Sequence, residues 1–251
     1  PTCHRVTDAA QTAGPGQYGA VWSRSALGWI APTAAAGAIE GAAWNLSWEP
    51  LAAELPYLPA RWLYDRPIPR SNGAALIPFA AVSGSFQAAG AAAVALERWD
   101  GMIGHNWGTE HAERWSWLHA GGLGEDGTGW LDLVLVRVRV GPLLTPWIAS
   151  GALRLDGRTR TPSRRGRVVR ELDSHRARIG VPLQGGGELA LQIVSPPQST
   201  AHWDYASPRG PGRTVENCSV ADATVRLDTG SERRVLEVHG RFAAEHGAPA
   251  P

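Results

Sequence analysis

The residues best equipped for chemistry in this 251-residue chain lie in one stretch, Gly101–Ala120 (GMIGHNWGTEHAERWSWLHA). It holds three of the eight histidines, three of the twelve tryptophans and two glutamates. Imidazole and carboxyl groups beside indole rings supply what acid–base chemistry on an apolar substrate requires: a proton donor, and electron-rich faces that stabilise a developing cation. His105, Glu110 and His111 are the candidate catalytic groups, His105 first and Glu110 second. Asn106, Trp107, Trp115, Trp117 and His119 are the candidate substrate contacts. A proton donor among them needs its pKa tuned toward the working pH by burial or by a neighbour. Taken singly, each residue has a better structural account, because Trp in an antiparallel sheet is ordinarily core and a His beside it a hydrogen-bonded structural group. The density of titratable groups on an aromatic surface is what marks the stretch as a site.

Those side chains have to be positioned by strands. Side chains alternate along a strand, so Ile103, His105 and Trp107 share one face, with Met102, Gly104 and Asn106 on the other. Trp115, Trp117 and His119 form a second such row. Gly101, Gly104 and Gly108 mark bends or places where another backbone or a ligand comes close. Thr109–Arg114 is too short for a helix and reads as a turn in which Glu110 and Arg114 can pair. Two strands joined by that turn are expected to lay both aromatic rows side by side. The separation of His105 from His111 fits no zinc-ligand spacing, and neither a metal nor an organic cofactor is expected.

The rest of the chain reads as β-structure. Trp44, Leu46 and Trp48 alternate cleanly, Ala75–Val82 and Val94–Trp99 follow, and Trp130–Val140 is rich in Val and Leu. Ala34–Ala43 reads as strand with Gly turns in spite of its alanines. Pro146–Ser150, Gly151–Leu155, Val168–Leu172, Ala177–Val181, Leu189–Ser195, Val220–Leu227 and Val235–Val238 continue as short strands between Gly, Pro and Asp-Gly turns. The prolines of Pro50–Pro69 exclude a regular helix or central strand, so that segment is an extended connection, whose Tyr57, Trp62 and Tyr64 are placed to cap a barrel end. Residues 248–251 are expected to be disordered. This pattern indicates an all-β sandwich or barrel rather than βαβ units.

Bulk properties narrow the partners. The formal charge is +1, and all 24 basic residues are Arg. They cluster only over Arg154–Arg178, which reads as a solvated loop or hairpin rather than a nucleic-acid patch, since no nucleic-acid-binding motif accompanies it. Cys3 and Cys218 sit in no metal-binding spacing, and a reducing, cytoplasmic setting fits them at least as well as a disulfide. No apolar run approaches the length of a transmembrane helix. Contact with a membrane surface stays open. The chain opens at Pro1 without an initiator Met, so a targeting segment could have been lost upstream.

GlyHisAsnTrpGly at Gly104–Gly108, followed by ArgTrpSerTrpLeuHis at Arg114–His119, resembles the signature of the lipocalin-like superfamily that includes carotenoid 1,2-hydratase (hydroxyneurosporene synthase), with fungal Diels–Alderase-type cyclases and plant tocopherol cyclase as more distant relatives. The TrpAsnLeuSerTrp strand and the GlyArgPheAlaAlaGluHisGly ending agree with it. The resemblance implies two consecutive antiparallel lipocalin-like barrels, residues 1–120 and 121–251, the first without part of its N-terminal portion. It further implies a lipophilic, isoprenoid- or polyketide-like substrate that undergoes acid-assisted hydration, isomerisation or cyclisation in an aromatic-lined cavity. Glu110 or a protonated His105 or His111 would donate the proton, and Trp107, Trp115 and Trp117 would stabilise the cation. A pericyclic cyclase would need little more than a shaped cavity and a donor such as Asn106. The competing expectation is a barrel that carries an apolar ligand unchanged, because one fold hosts both uses.

Overall fold

A computed structural model of the chain describes residues 23–25, 27–66, 70–205 and 212–249. Among them the architecture is all-β, with strands joined by turns, two 3-10 turns at Arg61–Asp65 and Pro197–Ser199, and no α-helix. The chain divides into two compact units. Among the described residues, the small unit comprises those up to Pro56 together with Gly73–Trp107, and the large unit those within 57–72 and from Gly108 onward.

The small unit is a curled antiparallel sheet of β1 (Ser23–Ser25), β2 (Gly28–Ile30), β3 (Ala34–Ile39), β4 (Ala42–Pro50), β5 (Leu55–Pro56), β6 (Ser71–Ala88) and β7 (Val94–Gly108). Its path runs β1-β2-β3-β4-β6-β5, with β7 also on β6. The alanine-rich β3 is a strand because its small residues make room for indoles. Gly37 faces Trp44 across the β3–β4 pair, where an added Cβ would come within 2.5 Å of the Trp44 ring. Trp48 is buried in the core with Ala35, Ile77 and Ala80, and its ring N–H donates to the Pro32 carbonyl at 2.8 Å.

The large unit contains β8 (Arg114–Leu123), β9 (Gly129–Arg137), β10 (Arg139–Val140), β11 (Leu143–Leu144), β12 (Ile148–Leu155), β13 (Arg158–Arg160), β14 (Val169–Asp173), β15 (Arg176–Pro182), β16 (Glu188–Val194), β17 (Ala201–Tyr205), β18 (Arg213–Asp228) and β19 (Arg233–Pro249). Ten of these form one antiparallel sheet ordered β13-β12-β9-β8-β19-β18-β16-β15-β14, with β17 on β18. The sheet closes on itself just past β13, where Ser163 N–H donates to the Pro182 carbonyl at 2.7 Å and Gln184 N–H to the Thr161 carbonyl at 2.9 Å. Setting β14 and β17 aside leaves a ring of eight strands, a size whose interior side chains can fill. They fill it here: Leu118, Leu131, Leu133, Leu135, Leu153, Leu189, Ile193, Val225 and Phe242 are all inside one core.

Four expectations are corrected. The two aromatic rows do not form a hairpin, since β7 pairs with β6 in the small unit while β8 lies between β9 and β19. The long run Trp130–Val140 breaks after Arg137: Arg139–Val140 peels away to pair with Leu143–Leu144, because Gly141-Pro142 makes a tight turn there. The C-terminal residues Ala248 and Pro249 are ordered in β19, opposite Thr214 and Arg213, while 250–251 lie outside the described residues. Finally, Tyr57 lies over the side wall of the barrel rather than its end, accepting a hydrogen bond from the Ser150 hydroxyl at its carbonyl.

Candidate functional site

Alternation along β8 and β9 gives the barrel wall two faces. Leu118, Ala120, Leu131, Leu133 and Leu135 point inward. Trp115, Trp117 and His119 stand on the outer face, opposite Val136, Val134 and Asp132 of β9. Outer faces of antiparallel barrels are usually wet, yet Asp132 is 0% exposed and His119 8%.

Asp132 is the centre of this outer group. Its Oδ1 accepts the Tyr57 hydroxyl at 2.5 Å, and its Oδ2 accepts the Trp117 ring N–H at 3.3 Å. His119 Nδ1 lies 3.3 Å from the same Oδ2, but too far off line to count as a hydrogen bond, so it is a buried nitrogen without a satisfied partner. Trp117 and His119 are stacked with ring centroids 5.9 Å apart and an interplanar angle of 3°. Burial first, and then the charge of Asp132, pushes the Tyr57 phenol well above the usual tyrosine range. The phenol is therefore a proton-bearing donor at any ordinary pH. Tyr57 is delivered by the proline-rich connection, which is braced by a hydrogen bond from Leu58 N–H to the Tyr64 hydroxyl at 3.0 Å.

Farther along the outer face the aromatics continue. His111, Trp115 and Tyr205 cluster together, with centroids 5.8 Å apart for His111–Trp115, 5.5 Å for His111–Tyr205 and 6.1 Å for Trp115–Tyr205. The Trp115 indole rests on the backbone of Gly247 and donates its N–H to Glu245 Oε1 at 2.9 Å.

The other proposed residues are placed differently. His105 and Trp107 sit half-buried on β7 in the small unit, stacked at 5.0 Å and 12°, in one row with Ile103, which packs on the core. Burial lowers the His105 pKa, so the ring is neutral near pH 7. Asn106 is exposed on the opposite face. Glu110 does not pair with Arg114; its Oε1 meets Arg70 Nη1 at 2.5 Å, because Gly108 lets the strand end run against the Arg70 backbone, where Thr109 N–H donates to the Arg70 carbonyl at 2.9 Å. Glu113 bridges Arg139 and Arg213 at 2.9 and 3.1 Å, and the Arg139 hydrogen bond holds it below the usual carboxylate range. The structure thus brings Trp117 and His119 together around Asp132 and Tyr57, and His111 together with Trp115, while His105, Asn106 and Trp107 belong to the other unit. Among the described residues no cluster of three or more His, Cys, Asp or Glu side chains is arranged to hold a metal.

Sequence reasoning missed Asp132 and did not connect Tyr57 to it. A signal for Asp132 existed, as the only acid in the apolar run Trp130–Val140. Nothing in the sequence ties it to a tyrosine 75 positions away.

A closed β-barrel with an ordered aromatic and acidic outer wall can be compared with known proteins. CghA, solved with Sch210972, superposes with a TM-score of 0.58 at 14% identity, over 91% of this chain and 69% of that one. Kievitone hydratase from Nectria haematococca superposes with a TM-score of 0.51 at 11% identity, over 96% and 71%. The chain has their fold. In sequence it is 28% identical over 205 residues to uncharacterised proteins from two strains of Mycobacterium tuberculosis, a match covering 79% of this chain and 59% of each of theirs. It therefore spans less than two thirds of the length of those curated relatives. No family model matches the chain. No helix among the described residues is long and apolar enough to cross a membrane.

Proposed function

We propose that the protein is an enzyme acting on a lipophilic small molecule of isoprenoid or polyketide character, by acid-assisted hydration, isomerisation or cyclisation and without a cofactor. The observation that carries this reading is the fully buried Asp132 on the outer barrel wall, joined to Tyr57 and Trp117 and flanked by the unsatisfied His119 Nδ1. A wall that served packing alone would place Val or Leu there, because a buried carboxylate with imperfect partners costs stability. In a hydration, a proton passes from the Tyr57, His119 and Asp132 group to an alkene carbon. Water then bonds to the cationic carbon, and its surplus proton returns to the group. Trp117, Trp115 and His111 supply aromatic faces to the cation, each worth about 1–2 kcal/mol when desolvated. His105 and Trp107 are a second imidazole–indole pair, assigned to substrate contact in the small unit. The fold shared with a hydratase and with CghA supports the class, as analogy of fold.

The interior of the large-unit barrel is filled by its own side chains, which speaks against a carrier that stores ligand there. The void beside Cys218, Ala244 and His246 measures about 30 Å³, room for about one water.

The test is to incubate the protein with lipophilic polyenes and terpenoids and follow products by mass. Asp132→Asn should lower turnover by about 10²–10⁴-fold, the usual worth of a positioned proton donor or acceptor, while ligand binding persists. Tight binding of unchanged ligand by wild type, Asp132→Asn and His105→Ala alike would establish the carrier instead.

A further inference from the structure

The inner face of the same wall ends in a different kind of cluster. Beyond Leu118 and Leu135 the inward rows of β8 and β9 continue to Ser116, Arg114 and Arg137, with Arg114 directly opposite Arg137. Arg170, from the arginine-rich hairpin, enters the same barrel end from β14. Its Nε donates to Ser116 Oγ at 2.6 Å, and its guanidinium lies 4.5 Å from the centroid of the Trp147 ring. Arg137 approaches the same ring at 5.9 Å. Among the described residues no carboxylate forms an ion pair with Arg114, Arg137 or Arg170. Glu113, the nearest acid in sequence, is engaged by Arg139 and Arg213.

Hydrogen-bond bookkeeping defines what is missing. Ser116 Oγ accepts from Arg170 and is also hydrogen-bonded to His246 Nδ1, 2.8 Å away. Burial, then the charge of Arg170, lowers the His246 pKa to about 3, so the ring is neutral. Burial and the charge of Arg114 lower Arg170 to about 10, the mark of a cation without a counterion. Arg170 Nη2 also reaches the Trp115 carbonyl at 3.5 Å and Arg137 Nε the Thr145 carbonyl at 2.8 Å, and the guanidinium N–H groups left over at this barrel end are all donors. The one acid bordering the adjoining void is Glu216, whose carboxylate faces His202 Nδ1 at 3.7 Å.

We propose that this end of the large-unit barrel is a binding site for an oxyanion, a phosphate or carboxylate group, held by Arg170 with Arg114 and Arg137 around it. Guanidinium groups match the paired oxygens of such a ligand, and a cluster of them without an ion-paired carboxylate raises the local concentration of anions. The site is independent of the Asp132 group, which faces the other side of the wall.

The test titrates the purified protein with inorganic phosphate and, separately, with acetate at low ionic strength, read by calorimetry. Saturable binding is expected, weakening as salt rises. Arg170→Gln should weaken it by roughly tenfold or more, since it removes a charge-assisted contact. Arg114→Gln, at an exposed position, should weaken it by a few-fold without risk to folding. Binding of phosphate but not acetate assigns a phosphoryl ligand, and competition by acetate assigns a carboxylate; either supports the site. No saturation with either anion up to roughly 10 mM overturns it. So does wild-type affinity in Arg114→Gln and in a folded Arg170→Gln. Asp132→Asn, which tests the proposed activity, should leave anion binding unchanged.

Discussion

Both faces of the β8–β9 wall hold fully buried side chains, but of different chemistry. Inside, Leu131, Leu133 and Leu135 are 0% exposed and belong to one apolar core. Outside, Asp132, in the same strand and equally buried, holds a phenol and an indole N–H and stands beside a histidine nitrogen without a satisfied partner. Burial alone therefore does not separate core from site in this molecule. The inner face lowers free energy by removing apolar area from water. The outer face spends part of that gain on keeping polar groups dry, which is the arrangement expected of a site that handles protons.

The largest effect should come from the inner face. Leu133→Ala empties a fully packed position and should cost about 2–5 kcal/mol in chemical denaturation. A loss below 1 kcal/mol would mean that the barrel interior is less tightly filled than its burial indicates. Next comes Gly247→Ala on the outer face. An added Cβ would approach the Trp115 ring to 2.2 Å, so the indole must move, at a cost of about 1–3 kcal/mol and with a change in tryptophan fluorescence. Unaltered fluorescence would show that the Trp115, His111 and Tyr205 stack is not anchored there.

A third test uses pH. His246 at the barrel end has its pKa lowered from 6.5 to about 3, so the unfolded chain binds the proton more readily. The stability linked to it is fully present above about pH 6.5 and is lost as pH falls toward 3, on the order of 2 kcal/mol by pH 5. His246→Gln should flatten that acid limb. An unchanged limb would assign it to carboxylates elsewhere.

Much of this contrast was legible in the chain. Period-two alternation placed Trp115, Trp117 and His119 on one face and Ile103, His105 and Trp107 on another, because strand geometry leaves no choice. Gly108 marked a close backbone approach, which proves to be the carbonyl of Arg70. What could not be read was pairing at long range. The partner of a strand depends on which sheet claims it, so β7 and β8, neighbours in sequence, part company into different units. Asp132 meets Tyr57 only once β9 and the proline-rich connection are folded, and Arg170 reads as one more solvated arginine until β14 turns it inward onto Ser116.

The smallest expected effect separates the two candidate acids most cleanly. Arg70 and Glu110 form an ion pair at 2.5 Å, but both side chains are well exposed, at 61% and 38%. Water screens such a pair, so Glu110→Gln should cost less than about 1 kcal/mol. The segment stays in place regardless, because the Thr109 N–H still reaches the Arg70 carbonyl at 2.9 Å. A folded Glu110→Gln variant therefore reports on chemistry alone. Turnover at the wild-type level would leave proton transfer with Asp132, Tyr57 and His119. A loss of about 10²-fold would move it to the exposed carboxylate and reduce the buried outer group to a structural role.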